Sequence, residues 1–253
     1  MFDDESDDAV TAEDGAALLG LETTEEADPR LVAFLGDLVR ADGEAPEDLV
    51  PPATGDEIVR ALAALVPDAR ERQRRASIPE ATTLATLRDV GRKHRLYGAA
   101  TVLPWLLGIL RGDVLEVGRL QVERRAGAHG HALHVPESGA LSPSLVDDAL
   151  SRAAAVTGAR AFSCTSWLLD PRIGSALPAS NIAKFAARFR LVDSGEATAV
   201  ASAEAAKFVF RRSPADVLDP ALVTPNTSLE QLVASTLRGG DDWAAPVGVL
   251  VLT

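Results

Sequence analysis

The spacing of hydrophobic residues changes near Gly112, and this change limits the chain to helices first and a sheet afterwards. Before Gly112, apolar residues recur three and four positions apart, as in PRLVAFLGDLVR and GDEIVRALAAL, which is the period of an amphipathic helix. After Gly112, apolar and polar residues alternate, as in LEVGRLQVERR, which is the period of a strand. The sequence therefore predicts an α/β protein in which a helical domain, residues 13–112, precedes a mixed α/β sheet domain, residues 113–253.

Turn and capping residues divide these domains into elements. The first domain also carries predicted helices over residues 79–94 and 101–110. In the second domain, residues 114–136 are predicted as a β-hairpin with a bulge at Gly118. SPSLVDDALSRAAAV follows as a helix with Ser142 at its N-cap, and ARAFSCTSWLL is then a third strand. A helix of this length is typical of the crossover between two parallel strands.

The last part of the chain is predicted as two more strands, a helix and a final strand. The strands are expected in ARFRLVDSG and AAKFVFRR, the helix in TSLEQLVASTLRGG and the final strand in VGVLVL. The helix is expected to be capped at its start and to end at Gly239.

Charge is distributed unevenly along the chain. Residues 1–60 contain 18 Asp and Glu against three Arg, which gives −15, and the remaining residues contain 19 against 22 Lys and Arg, which gives +3. Residues 1–12 are so acidic and so poor in apolar side chains that we expect a disordered tail. The sequence does not favour a nucleic-acid partner, because the basic cluster DARERQRR is typical of a solvated helix face.

Several kinds of protein are not supported by the sequence. There is no run of 18 apolar residues and the first residues are acidic, so we expect a cytoplasmic protein without a membrane partner. Cys164 is the single cysteine and has no partner for an internal disulfide. The histidines in AHGHALH lie in a predicted turn and strand without a neighbouring carboxylate, so no metal site is predicted.

Five segments carry a resemblance to a known family. ATLRDVGR, LEVGRLQVERR, HVPESGALSP, FSCTSWLLDP and SNIAKFAARFRLVD resemble, in this order, a family of bacterial acyltransferase-like proteins. Members of that family have an N-acyltransferase N-terminal domain and a GNAT-like C-terminal domain. The resemblance implies a GNAT-like fold for the sheet domain, acyl-CoA or acetyl-CoA as co-substrate and a small-molecule acceptor.

The family resemblance places the cofactor at one strand, loop and helix. GNAT enzymes hold the pyrophosphate of CoA on a tight loop and a helix N-terminus, where free amides and the helix dipole attract an anion. Here this order is HALHVP, ESGALS and PSLVDDALSRAAAV, which makes Ser138, Gly139, Ala140 and Ser142 the candidate cofactor-binding residues. Only one glycine of the usual glycine-rich loop is present, and an ordinary capped crossover helix fits the segment equally well.

Acyl transfer requires a group that takes a proton from the acceptor, and the candidates lie near the same loop. His134 at the end of a predicted strand and Glu137 just after it are candidate general bases. Cys164 is a candidate nucleophile, although a buried, inert thiol is the ordinary alternative. His131 lies three residues from His134 on a strand, so the two side chains are expected on opposite faces.

Four residues further along the chain are candidates for binding the acceptor. Trp167 lies near the end of the third predicted strand, and Asn181, Arg188 and Arg190 follow it. Arg188 and Arg190 alternate onto one face of a predicted strand, from which they would bind a carboxylate or a phosphate. The alternatives are a core role for Trp167 and solvated side chains for the arginines.

Two hypotheses follow for the function. In the first, the chain is a GNAT-like acyltransferase that moves an acyl group from acyl-CoA to a small-molecule amine or hydroxyl. In the second, it is a non-catalytic GNAT-like module that binds a ligand or a protein and has lost CoA binding, as the missing glycines suggest.

Overall fold

The computed structural model describes residues 12–22, 25–43 and 49–252. The predicted disordered tail falls mainly on residues 1–11, which lie outside the described residues, and residue 12 begins the first helix. The chain divides after Val117 into two compact units, Met1–Val117 and Gly118–Thr253. The first unit is helical and the second is a mixed α/β sheet, which confirms the fold class and its order along the chain.

The first unit contains six helices and one short strand among the described residues. The helices are α1 (Ala12–Leu18), α2 (Pro29–Arg40), α3 (Gly55–Ala64), α4 (Val66–Arg75), α5 (Glu80–Tyr97) and α6 (Leu103–Arg111), and strand β1 is Val114–Glu116. Asp28 caps α2 through the amide of Arg30, and Thr54 forms a capping box with Glu57 at the start of α3. The apolar faces of these helices form one core that includes Leu35, Leu62 and Leu106.

Among its described residues, the second unit has five strands and six α-helices. The strands are β2 (Gln121–Gly127), β3 (Gly130–His134), β4 (Ala161–Thr165), β5 (Arg190–Asp193) and β6 (Val247–Val251), and their order in the sheet is β2, β3, β4, β6, β5. The helices are α7 (Pro143–Thr157), α8 (Pro171–Ala176), α9 (Asn181–Ala186), α10 (Ala199–Phe210), α11 (Pro214–Leu218) and α12 (Ser228–Arg238). Strands β3 and β4 are parallel, and the other neighbouring strands are antiparallel.

The hairpin and the crossover agree with the sequence analysis. Strands β2 and β3 pair in antiparallel fashion, and α7 connects β3 to the parallel strand β4. Helix α7 follows Ser142 and ends at Gly158, whose φ of 72° is the left-handed conformation that glycine adopts without strain. The predicted bulge at Gly118 was wrong, because the chain leaves the strand conformation between Glu116 and Gln121 and Gly118 has a φ of 93°.

The strand predicted in AAKFVFRR is a helix, which corrects the sequence analysis. The segment forms the second half of α10, which Thr198 caps through the amide of Ala201. Its buried residues lie one, three and four positions apart, which places them on one face of a helix. They are Ala201, Ser202, Ala205 and Ala206. The alternation in KFVF is too short to outweigh the helix propensity of the alanine-rich residues before it.

Helices α10 to α12 lie between two antiparallel neighbours, β5 and β6, which need no more than a short turn to connect them. Their apolar side chains form one core with those of α8 and α9, and this core includes Trp243, which is fully buried. Trp167 meets the Trp243 ring edge-on at 5.8 Å. Asp170 caps α8 and accepts hydrogen bonds from Arg172 and from the Ala244 amide, so it joins the segment after α12 to the segment after β4.

Candidate active site

Strands β3 and β4 separate after two residue pairs. His131 pairs with Phe162 and Ala132 with Ser163, and no pair joins the strands beyond that point. Strand β4 stays paired with β6 as far as Thr165, and β3 stays paired with β2 as far as His134, so the β2–β3 pair diverges from β4 at this point. At the C-terminal end of this parallel pair, β3 and β4 therefore no longer bond to each other. The backbone amides and carbonyls on these facing edges can bind a ligand.

The loop after β3 has an exposed turn at Gly139. Gly139 has a φ of 66°, and no atom lies within 4 Å of the position that a Cβ would take. The Ser138 amide donates to the Pro136 carbonyl at 2.9 Å, which tightens the turn. Arg119, which the sequence analysis missed, holds the loop through Nη1 to the Pro136 carbonyl and Nε to the Ala140 carbonyl.

The first turn of α7 receives no cap from a side chain. Ser142 occupies the N-cap position with extended backbone angles, but its hydroxyl makes no hydrogen bond to the first turn. Its carbonyl accepts the Val146 amide at 3.0 Å, so the helix begins normally. The amides of the first turn have no acceptor within the helix, and together with the helix dipole they favour an anion at this point.

The two aspartates of α7 are paired with arginines. Asp147 accepts a hydrogen bond from Arg188, which holds the pKa of that carboxyl below its usual value. Arg188 also donates to the Pro143 carbonyl at 3.2 Å. Asp148 pairs with Arg152 at 2.8 Å on the exposed side of the same helix. Both carboxylates are thus matched by a cation.

The predicted strand position of Arg188 was wrong. Arg188 lies in the turn between α9 and β5, because the chain must reverse after α9 before the strand begins at Arg190. The two arginines therefore do not share a strand face, and Arg188 contacts α7 while Arg190 is exposed on the edge strand β5. Asn181 is the exposed first residue of α9.

His134 forms a pair with a glutamate that the sequence analysis did not identify. Its Nε2 lies 2.8 Å from Oε1 of Glu123 on the neighbouring strand β2, and both side chains are partly exposed. The hydrogen bond from His134 lowers the pKa of the Glu123 carboxyl. His131 contacts the backbone oxygen of Glu123 at 2.9 Å, so its ring is engaged in holding the hairpin. A carboxylate beside the imidazole fixes the orientation of the ring.

Glu137 begins the loop and forms an ion pair with Arg211 from the end of α10. Its side chain is 11% exposed, and Oε1 is buried without a hydrogen-bond partner among the described residues. The loop that carries Ser138 and Gly139 is therefore fixed on both sides, by Arg119 on one side and by the Glu137–Arg211 pair on the other.

Two of the sequence-based candidates lie in the core. Cys164 is buried, and burial raises the pKa of its thiol to about 12, so the thiol is protonated at neutral pH. This removes the property that a cysteine nucleophile requires. Trp167 is 4% exposed and packs against Trp243, as the core alternative for this residue predicted.

The described ranges contain neither a cluster of metal-binding side chains nor a helix suited to cross a membrane. Within them, no three His, Cys, Asp or Glu side chains are arranged to hold a metal ion. Within the same ranges, no helix is both long enough and apolar enough to span a membrane.

Comparison with known families matches almost the whole chain. Residues 6–112 match the N-acyltransferase N-terminal domain, and residues 109–250 match the GNAT-like C-terminal domain. The chain belongs to the family that these two domains define. A comparison with curated protein sequences gives no match.

Solved structures of acyltransferases are similar to this chain. An acyltransferase in complex with decanoyl-CoA and teicoplanin is 26% identical with a TM-score of 0.76, and the match covers 96% of this chain and 88% of that one. The same values hold for an acyltransferase in complex with CoA and 10C-teicoplanin. An acyltransferase in complex with decanoyl-CoA is 30% identical with a TM-score of 0.69, and the match covers 88% of this chain and 75% of that one.

These findings confirm the prediction of a GNAT-like acyltransferase with acyl-CoA as co-substrate and a small-molecule acceptor. The alternative, a non-catalytic module that has lost CoA binding, is not favoured.

Proposed function

We propose that the chain binds acyl-CoA where β3 and β4 separate, with the pyrophosphate on residues 138–142 and the first turn of α7. The observation that carries this proposal is the position of the uncapped start of α7 directly after the strand that leaves its parallel partner. The strand edges offer backbone hydrogen bonds to the amide-containing arm of CoA, and the helix start offers amides and a positive dipole to its phosphates.

His134 is the proposed general base. It takes a proton from the acceptor amine or hydroxyl as that atom attacks the thioester carbonyl, and Glu123 stabilises the imidazolium that forms. The new bond joins the acceptor to the acyl carbon, the carbon–sulfur bond breaks, and the proton passes to the CoA thiolate. Cys164 forms no acyl-enzyme in this scheme, because its thiol is buried and protonated. Glu137 holds the loop through Arg211 in this scheme.

The first substrates to test follow from the similar structures. Decanoyl-CoA is the proposed donor, since two of these structures contain it, and teicoplanin is the proposed first acceptor. We propose that Asn181 and Arg190 lie on the acceptor side, because both are exposed on the elements that follow β4.

Calorimetric titration with CoA and decanoyl-CoA tests the cofactor site. We expect micromolar binding that weakens at least tenfold in Ser142→Asp, because the new carboxylate lies beside the phosphates. Ser142→Asn is the matched control, since Asn has nearly the same shape and is an equally good N-cap without the charge. Absence of wild-type binding at millimolar CoA contradicts the proposal, and equal affinities for the Asp and Asn variants place the phosphates elsewhere.

Steady-state kinetics tests the general base. We expect His134→Gln to lower kcat by about 10²- to 10⁴-fold with little change in CoA affinity. Glu137→Gln is the comparison variant, because Glu137 was the other sequence-based candidate for the base, and its kcat is expected to fall much less. A larger loss in the Glu137 variant than in the His134 variant would exchange the two roles.

A further inference from the structure

Arg188 joins two points one helical turn apart at the start of α7. Its guanidinium donates to the carboxylate of Asp147 and to the carbonyl of Pro143, the first residue of the helix. Residues four apart lie on the same side of a helix, so the arginine spans this side of the first turn from the loop before β5. The side chains of Arg188 and Asp147 are 24% and 62% exposed, so the pair is open to solvent on the aspartate side.

The charges around this turn decide whether an anion is attracted. An unpaired Asp147 would oppose a phosphate at the helix start, because it lies about 6 Å along the helix from Pro143 at 1.5 Å per residue. With Arg188 in place the pair is neutral, and the cation lies level with the first turn while the carboxylate belongs to the second. The amides of the first turn then act on the ligand without a competing negative charge nearby.

We propose that Arg188 is a positioning residue for acyl-CoA, which neutralises Asp147 and so permits the phosphates to bind at the start of α7. This inference rests on the proposed function, since it concerns the same phosphate site. It differs from the role predicted from the sequence, in which Arg188 bound the acceptor directly. Here the arginine acts through Asp147 and Pro143 and does not contact the acceptor.

The experiment measures CoA affinity of the full chain by calorimetry at low and at high salt. Arg188→Gln leaves Asp147 unpaired, and we expect CoA to bind about 3- to 10-fold more weakly at low salt. The loss is expected to shrink in 0.5 M salt, because surface charges are then screened. In kinetics, KM for decanoyl-CoA rises by a similar factor while kcat is retained.

The double variant Asp147→Asn/Arg188→Gln separates charge from structure. It removes both charges and also the contact with Pro143, and we expect CoA affinity within about twofold of the wild type. If the double variant is as weak as Arg188→Gln, the arginine acts only as a structural tie and the proposal is wrong. The same double variant keeps the proposal testable if Arg188→Gln alone does not fold.

Two controls complete the design. Arg152→Gln breaks the exposed pair with Asp148 on the same helix, and we expect less than a twofold effect because that pair does not reach the first turn. Decanoyl-pantetheine, which has no phosphate, is expected to bind the wild type and Arg188→Gln equally, and an equal loss for it would overturn the proposal. Failure of the wild type to bind CoA at all would contradict the proposed function instead, so the two failures are distinguishable.

Discussion

Replacement of Cys164 distinguishes direct acyl transfer from transfer through a covalent intermediate. Burial raises the pKa of this thiol to about 12, against an ordinary value of 9.0. At pH 7 the thiolate fraction is therefore about 10⁻⁵, compared with about 10⁻² for an exposed cysteine, a difference of roughly a thousandfold. We expect Cys164→Ala to keep kcat within about twofold of the wild type.

The assay is release of free CoA from decanoyl-CoA in the presence and absence of an acceptor, together with the intact mass of the protein. We expect no burst of CoA without an acceptor and no acylated protein, because direct transfer forms no acyl-enzyme. Cys164→Ala removes a buried sulfur atom, so we expect the free energy of unfolding to fall by about 1–2 kcal/mol. A loss of this size leaves the protein folded for the assay. A kcat at least a hundredfold lower in a folded variant that still binds CoA would refute direct transfer.

Three further predictions concern Glu123 beside the proposed base, Trp243 in the core that includes α10 to α12, and Asp170 at acid pH. Glu123→Gln is expected to lower kcat roughly tenfold with an unchanged KM for acyl-CoA in steady-state kinetics, because the imidazolium of His134 loses its carboxylate. Trp243→Ala is expected to lower the free energy of unfolding by about 3–5 kcal/mol in urea titration, because the ring is fully buried in the core of α10 to α12. Burial by itself raises the pKa of Asp170, but hydrogen bonds from Arg172 and Ala244 outweigh it and hold the pKa below the usual 3.8. The charged carboxylate therefore stabilises the fold above about pH 4 and loses this effect as the pH falls through the lowered pKa. Asp170→Asn is expected to be less stable than the wild type at pH 7 by about 2–4 kcal/mol, and the difference is expected to shrink as the pH falls through that lowered pKa.

The parts of the fold that are encoded by neighbouring residues could be predicted from the sequence. Ser142, Pro143 and Gly158 mark both ends of α7, and the strands on either side of it follow from local alternation. The error in α10 arose from the same local reasoning, because KFVF alternates over too few residues to distinguish a strand from the end of a helix.

The contacts that define the candidate site could not be predicted in this way. Glu123 meets His134 across a hairpin with an irregular register, and Arg188 meets Asp147 across 41 positions of sequence. No local sequence pattern indicates which carboxylate pairs with an arginine that lies far away in the sequence. The pairing that neutralises Asp147 is therefore visible only in the fold, where Arg188 donates to its carboxylate.

The lack of a glycine-rich loop is compatible with an anion site because of how Arg119 holds the backbone. Arg119 binds the carbonyls of Pro136 and Ala140, so both oxygens point toward its guanidinium. In a planar trans peptide the N–H points opposite to the C=O, and the amides of Glu137 and Leu141 are therefore directed away from the arginine. Glycines allow a backbone to approach a phosphate closely, and this loop needs that freedom only at Gly139, where the Cβ position is empty. We propose that the amide orientation that other loops obtain from several glycines is obtained here from Gly139 and Arg119.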